Sequence, residues 1–191
     1  LILHKIDFFE FTYGQGHDVD VIIGDNAFNA IERVLSFSTP HNINSWRVNA
    51  LQQDSLGYMI FFKPGVLHQH YHNIDLYRQF QFFNINTSSA ISLSELDASV
   101  LVNLMATMLE EFKTGLSRSI KNILSAYLTI ILEKANRLYS KPNAHIIFKN
   151  RAEEIAFQFE RLLKEKANYR LHLSDYASML NISTNYLSES V

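Results

Sequence analysis

Cysteine is missing altogether from the 191 residues. That removes thiol nucleophiles, thiolate metal sites and disulfides, and it fits a reducing, cytoplasmic setting. Long apolar runs are missing too: none reaches the roughly 18 to 20 residues of a membrane span. Leu1 begins directly in a strand-like pattern, with no basic segment leading into an apolar one, so no secretion signal and no membrane partner are expected. The absence of a leading methionine predicts a chain trimmed at its front. Neither sign of charge is in excess, with 17 Lys and Arg against 19 Asp and Glu. Dividing the chain does not uncover a basic module, because residues 1–147 hold 11 basic and 13 acidic side chains and residues 148–191 hold 6 of each. Net charge therefore offers no footprint for nucleic acid.

What is present is 47% hydrophobic residues, ordinary for a globular chain of one large or two small domains. Fifteen of the 24 aromatic residues and five of the six glycines fall within residues 1–89, so strands and turns are expected there. Short segments rich in β-branched and aromatic residues run over 6–13, 19–23, 34–38, 45–48 and 58–62. Turn signals separate them, among them Gly14-Gln15-Gly16, Gly24-Asp25-Asn26 and Thr39-Pro40. Such punctuation predicts a sandwich or small barrel.

From Ser92 the apolar period lengthens to about 3.6. Ser94, with Asp97 three residues on, predicts a helix start, and Gly115 predicts its end. A second helix is expected over 118–139, with Leu124, Leu128 and Ile131 on an apolar stripe and Ile130 and Leu132 beyond it. A helix that only covers a sheet needs one apolar face, so this surplus predicts a homodimer through Leu124, Leu128 and Ile131. Pro142 and its polar neighbours predict a linker over 141–147. Beyond it, residues 148–167 form an amphipathic helix with Ile155, Phe159, Leu162 and Leu163 inward.

The last 19 residues have the spacing of a helix-turn-helix. Leu173, Tyr176, Ala177 and Leu180 form the buried face of a first helix. Asn181 tolerates a left-handed turn, Ile182 plugs the core, Ser183 caps a second helix, and Leu187 returns to the core. Thr184, Asn185, Ser188 and Glu189 remain on the opposite face, where a recognition helix presents base-reading groups. Any tight helical hairpin would share the spacing; the wording is more specific. Ser174-Asp-Tyr-Ala177, then Leu180, Ile182-Ser183 and Tyr186-Leu-Ser188 resemble the first helix-turn-helix of AraC-type transcription regulators.

The resemblance extends forward. Ile91-Ser-Leu-Ser94, Met108-Leu-Glu-Glu-Phe112, 128–132 and Asn136-Arg-Leu-Tyr139 resemble the helical pair after that family's sensor barrel. His4, Asp7-Phe-Phe-Glu10, Leu35 to Pro40, Ser45-Trp46 and Gly57 to Phe62 resemble its cupin-like barrel. The resemblance implies an α+β chain: a cupin-like sensor and dimerisation domain over 1–140 (barrel about 1–90, helical pair about 94–139), a linker over 141–147, and over 148–191 the first part of an all-α DNA-binding domain cut inside its first recognition helix. It implies a bacterial regulator with promoter DNA and a small-molecule effector as partners, and no enzyme activity. A chain ending at Val191 would then lack the second reading unit and would not hold the specific site by itself.

Cupin enzymes bind metal through His-x-His with a Glu, plus a later His. Ile6 here replaces the second His beside His4 and Glu10, and Asn44 stands at the later position in the better of two registers, the other placing His68 there. No metal or other cofactor is therefore expected. His68, His70 and His72 alternate with metal-compatible spacing, but only Asp75 lies near to complete a set. His4, Ile6, Phe8, Glu10 and Thr12 share strand parity and, with Trp46, predict an effector pocket; a filled barrel core with a Glu at its mouth is the competing expectation. A metal-dependent cupin enzyme and a dimeric sensor without DNA binding remain the alternative functions.

Overall fold

The computed structural model describes residues 2–5, 7–24, 26–30, 32–40, 42–67, 75–84, 89–115, 117–141, 143–148, 150–166 and 171–191, with residues 2–5, 17, 26 and 30 described by their backbone only. Among the described residues seven strands come first or flank the helices: β1 (Ile2–Lys5), β2 (Phe9–Ile23), β3 (Asn26–Ala30), β4 (Val34–Ser38), β5 (Ile43–Phe62), β6 (Ala90–Ser92) and β7 (His145–Ile146). They form one antiparallel sheet in the order β1-β5-β2-β4-β6-β7, with β3 also paired to β2. The helices are α1 (Leu76–Gln79), α2 (Glu95–Lys113), α3 (Arg118–Tyr139), α4 (Arg151–Lys166), α5 (Leu173–Met179) and α6 (Thr184–Ser190). The architecture is a mixed α+β one, as the sequence predicts.

The sheet curls into a half-barrel because β2 and β5 are long and bent. They pair from Phe9 opposite Phe62 to Ile23 opposite Asn44. A straight strand of this length would span about 50 Å, yet Glu10 near one end of β2 hydrogen-bonds Asn44, paired at the other end, at 3.0 Å. The bend sits at Gly16, whose φ of +68° and register shift mark a bulge. A Cβ there would meet Ser55 Cα at 3.2 Å, so both the backbone angle and the close approach favour glycine. Gly14-Gln15-Gly16 is thus no turn; the predicted strands on either side of it are one strand, as are those predicted over 45–48 and 58–62. Turn-prone glycines can serve a bulge as well as a reversal, and here they do.

The bulge has a second effect, a change of face. Glu10, Thr12 and Gly14 face the concave side before it, whereas Val19, Val21 and Ile23 face that side after it. The convex side carries Phe9, Phe11 and Tyr13, all buried. Leu35, Phe37 and Phe62 join them against Phe80, Phe82 and Phe83 and against helices α2 and α3. Phe37 stacks on Phe82 with ring centres 3.8 Å apart. Burial raises the Tyr13 phenol above its ordinary value, opposed in part by the charge of Arg33.

Helix α2 starts where expected, with the Ser94 hydroxyl accepting the Asp97 N–H at 3.1 Å, and Gly115 follows it at positive φ. Helix α3 has the predicted ends. Its stripe, however, is used inside the chain: Leu128 and Ile131 are buried with Leu132, Ala135, Leu138 and Tyr139 in the main core. They have no surface for a second copy, and Leu124 is only half-buried beside them. The apolar surface that α3 does expose is at Ile123 and Ile130.

The stretch expected as a linker is tied to the sheet. Strand β7 pairs with β6, Ile147 N–H donates to Ala90 O at 2.9 Å, and Lys141 Nζ lies 3.2 Å from the Asp97 carboxylate. Helix α4 then buries two faces. Ile155 enters a small second core with Tyr176, Ala177 and Leu187, while Phe157, two residues on and on the opposite side, enters the main core. Leu163, expected inward, is 40% exposed.

Candidate ligand cavity and DNA-reading helix

The concave side of the half-barrel encloses a cavity of about 360 Å³. Val19, Val21, Ile23, Phe28, Val34 and Trp46 form much of its wall, following from the alternation of side chains along the pleat. Val48, Leu51 and Met59 also line it and are themselves exposed, which places the opening on their side. At the enclosed end a hydrogen-bonded chain crosses three strands. The Ser38 hydroxyl donates to Asn44 Oδ1 at 2.9 Å, Asn44 Nδ2 donates to Glu10 Oε2 at 3.0 Å, and the Thr12 hydroxyl donates to Glu10 Oε1 at 2.7 Å. Glu10, Asn44 and Ser38 are all buried. Among the described residues Glu10 is the one charged side chain in the wall.

Of the residues the sequence proposes for an effector pocket, Glu10, Thr12 and Trp46 line this cavity. Phe8 does not: bends at Asp7 and Phe8 interrupt the alternation before β2, and its ring is 39% exposed, with Lys63 Nζ 5.1 Å from its centre. The His4 backbone pairs opposite Asn44; the His4 side chain and all of Ile6, His68, His70 and His72 lie outside the described residues. Asn44, noticed in the sequence only as a lost metal ligand, is the central hydrogen-bonding residue. Its carboxamide nitrogen donates to the Glu10 carboxylate and its oxygen accepts from Ser38. Among the described residues no three His, Asp or Glu side chains gather as a metal site, and no helix is long and apolar enough to cross a membrane. Val19, Val21 and Ile23 escaped the sequence reading because the bulge reverses the parity that placed Glu10.

The second candidate site is at the chain's end. Helix α5 packs Tyr176 and Ala177 into the small core, with Leu173 and Leu180 half-buried beside them. Asn181 adopts φ +54°, and Ile182 N–H donates to Ala177 O at 3.0 Å beneath the turn. Ser183 then caps α6, accepting Tyr186 N–H at 3.2 Å, and Leu187 is fully buried. Thr184, Asn185, Ser188 and Glu189 are all exposed, and their i, i+1, i+4, i+5 spacing gathers them on one side of α6. Residues 171–191 contain no Lys or Arg, so this face offers hydrogen-bonding groups without neutralising phosphate.

Comparison with known proteins gives a similarity of fold. No protein-family description matches the chain, and no curated protein does. Two solved structures align over 97% of it. One is the AraC-like transcriptional activator CuxR, 13% identical with a TM-score of 0.43. The other is ToxT from Vibrio cholerae with an unsaturated fatty acid bound, 14% identical with a TM-score of 0.35. The chain spans 61% of the length of the first and 65% of the second. At this identity no residue's role passes from either protein to this one.

Proposed function

We propose that this chain belongs to a ligand-responsive transcription regulator of the AraC type, not an enzyme, in which α6 reads promoter DNA and the half-barrel cavity receives a small effector. The observation that carries the reading is the α5-turn-α6 unit. A left-handed Asn181, a Ser183 cap, a buried Leu187 and an exposed polar face come together on a sequence worded like that family's reading motif. A helix so presented fits the major groove, with its N-terminal residues toward base edges.

Coupling between the two sites has a physical route. Ser36 in the cavity wall and Phe37 in the convex core are neighbours on β4. Phe37 meets the Tyr139 ring at 6.3 Å, and Tyr139 meets Phe157 of α4 at 5.7 Å. Phe157 is two residues from Ile155, which holds the reading unit. A ligand that favours one packing of this chain of rings over another would bias how α6 is presented. The reading includes a homodimer, for which Ile123 and Ile130 supply exposed apolar surface on α3. Selection from a pool of random duplexes by the full-length protein tests the proposal. It should enrich one sequence motif, and a pool that stays random after repeated rounds would refute DNA reading.

A further inference from the structure

We infer that the cavity takes a small, mostly apolar molecule carrying a protonated amine, seated with its ammonium on the Glu10 carboxylate and its apolar body against Val21 and Trp46. The inference rests on the cavity being the effector site and names the chemistry of what enters it. Polarity is concentrated at the enclosed end, where the hydroxyl hydrogens of Ser38 and Thr12 and one amide hydrogen of Asn44 are already committed. Asn44 uses its carbonyl oxygen for Ser38 and an amide hydrogen for Glu10, and Thr12 gives its hydroxyl hydrogen to the same carboxylate. A carboxylate has about four lone-pair sites; two are taken, so this end offers an incoming group negative charge and spare acceptor capacity, beside the second amide hydrogen of Asn44.

The charge decides between ligand classes. None of the ion pairs among the described residues involves Glu10. A neutral molecule filling the cavity would strip water from the carboxylate without replacing it, and an anionic one would add a like charge beside it. A cation with hydrogens to donate answers both costs. The 360 Å³ of space admits a body of one or two rings, and the Trp46 indole in the wall supplies a flat face for it.

The same indole reports the test, since Trp46 is the single tryptophan of the chain. A set of probes sharing one ring and differing in head group, namely 2-phenylethylamine, 2-phenylethanol and phenylacetate, is titrated at neutral pH while Trp46 fluorescence is followed. The amine should give saturable binding. The alcohol should bind at least about tenfold more weakly, and phenylacetate should not saturate. Glu10→Gln should weaken the amine roughly 10- to 100-fold and leave the alcohol nearly unchanged. Val21→Phe, which fills the wall but keeps the carboxylate, should weaken the amine and alcohol together. The head-group comparison on the unaltered protein stands even where Glu10→Gln fails to fold. Phenylacetate binding as tightly as the amine, no response to any of the three up to millimolar concentration, or an amine indifferent to Glu10→Gln in folded protein would each overturn the assignment. DNA selection, read separately, shows whether the regulator reading falls with it.

Discussion

The two faces of the curled sheet are made by the same strands and end in opposite states. On the convex face Phe11, Tyr13, Leu35 and Phe37 lose all contact with water beneath α2, α3 and the ring cluster around Phe82. On the concave face the same β2 and β5 bound a cavity of about 360 Å³, with Val48 52% and Leu51 64% exposed at its side. The difference is what covers each face: two long amphipathic helices dock on one, and the sheet's own curl encloses the other. Stability resides on the covered side, which leaves residues of the hollow side free to suit a ligand.

The largest expected effect of breaking this division is at Phe37. Phe37→Ala removes a fully buried ring stacked between neighbours and should cost about 3 to 5 kcal/mol in urea unfolding. Met59→Ala, on the hollow side and 46% exposed, should stay within about 1 kcal/mol. Comparable losses for the two would erase the distinction. Gly16→Ala comes next, because alanine at positive φ costs about 1 to 2 kcal/mol and its Cβ presses on Ser55. A thermal transition unchanged in that variant would mean the bulge does not hold the curl. Smallest is Phe8→Ala: this ring lies outside the cavity, so the Trp46 response to 2-phenylethylamine should not move. A shifted response would return Phe8 to the ligand site.

Local signals in the sequence located the helices and the reading unit well. Ser94, Gly115, Asn181 and Ser183 act through hydrogen bonds or backbone angles within a few residues, so their chemistry is visible in the chain itself. The curl of the sheet was not legible in the same way. Whether Gly14-Gln15-Gly16 reverses a strand or bulges it depends on β5, some 40 residues away, and the face of Val19, Val21 and Ile23 depends on that outcome. Burial partners were equally hidden. The stripe holding Leu128 and Ile131 looks the same whether a sheet or a second copy covers it, and Phe157 shows its role only when Tyr139 is placed beside it. Glu10 was legible as a pocket residue by its isolation among apolar neighbours. Its dependence on Asn44 follows from closure of the half-barrel, which no local pattern encodes.

Base reading by α6 is tested most directly by a competition titration of the full-length protein and its Asn185→Ala variant, at two salt concentrations, against the selected duplex and a scrambled one. Asn185 is exposed at the start of a helix whose opposite side is locked by Leu187, so truncating it should leave the fold intact. A loss of about 1 to 3 kcal/mol is expected on the selected duplex, with scrambled-duplex binding and its salt dependence nearly unchanged. An equal loss on both duplexes, or none on either, would contradict the assignment of α6 as the helix that reads bases.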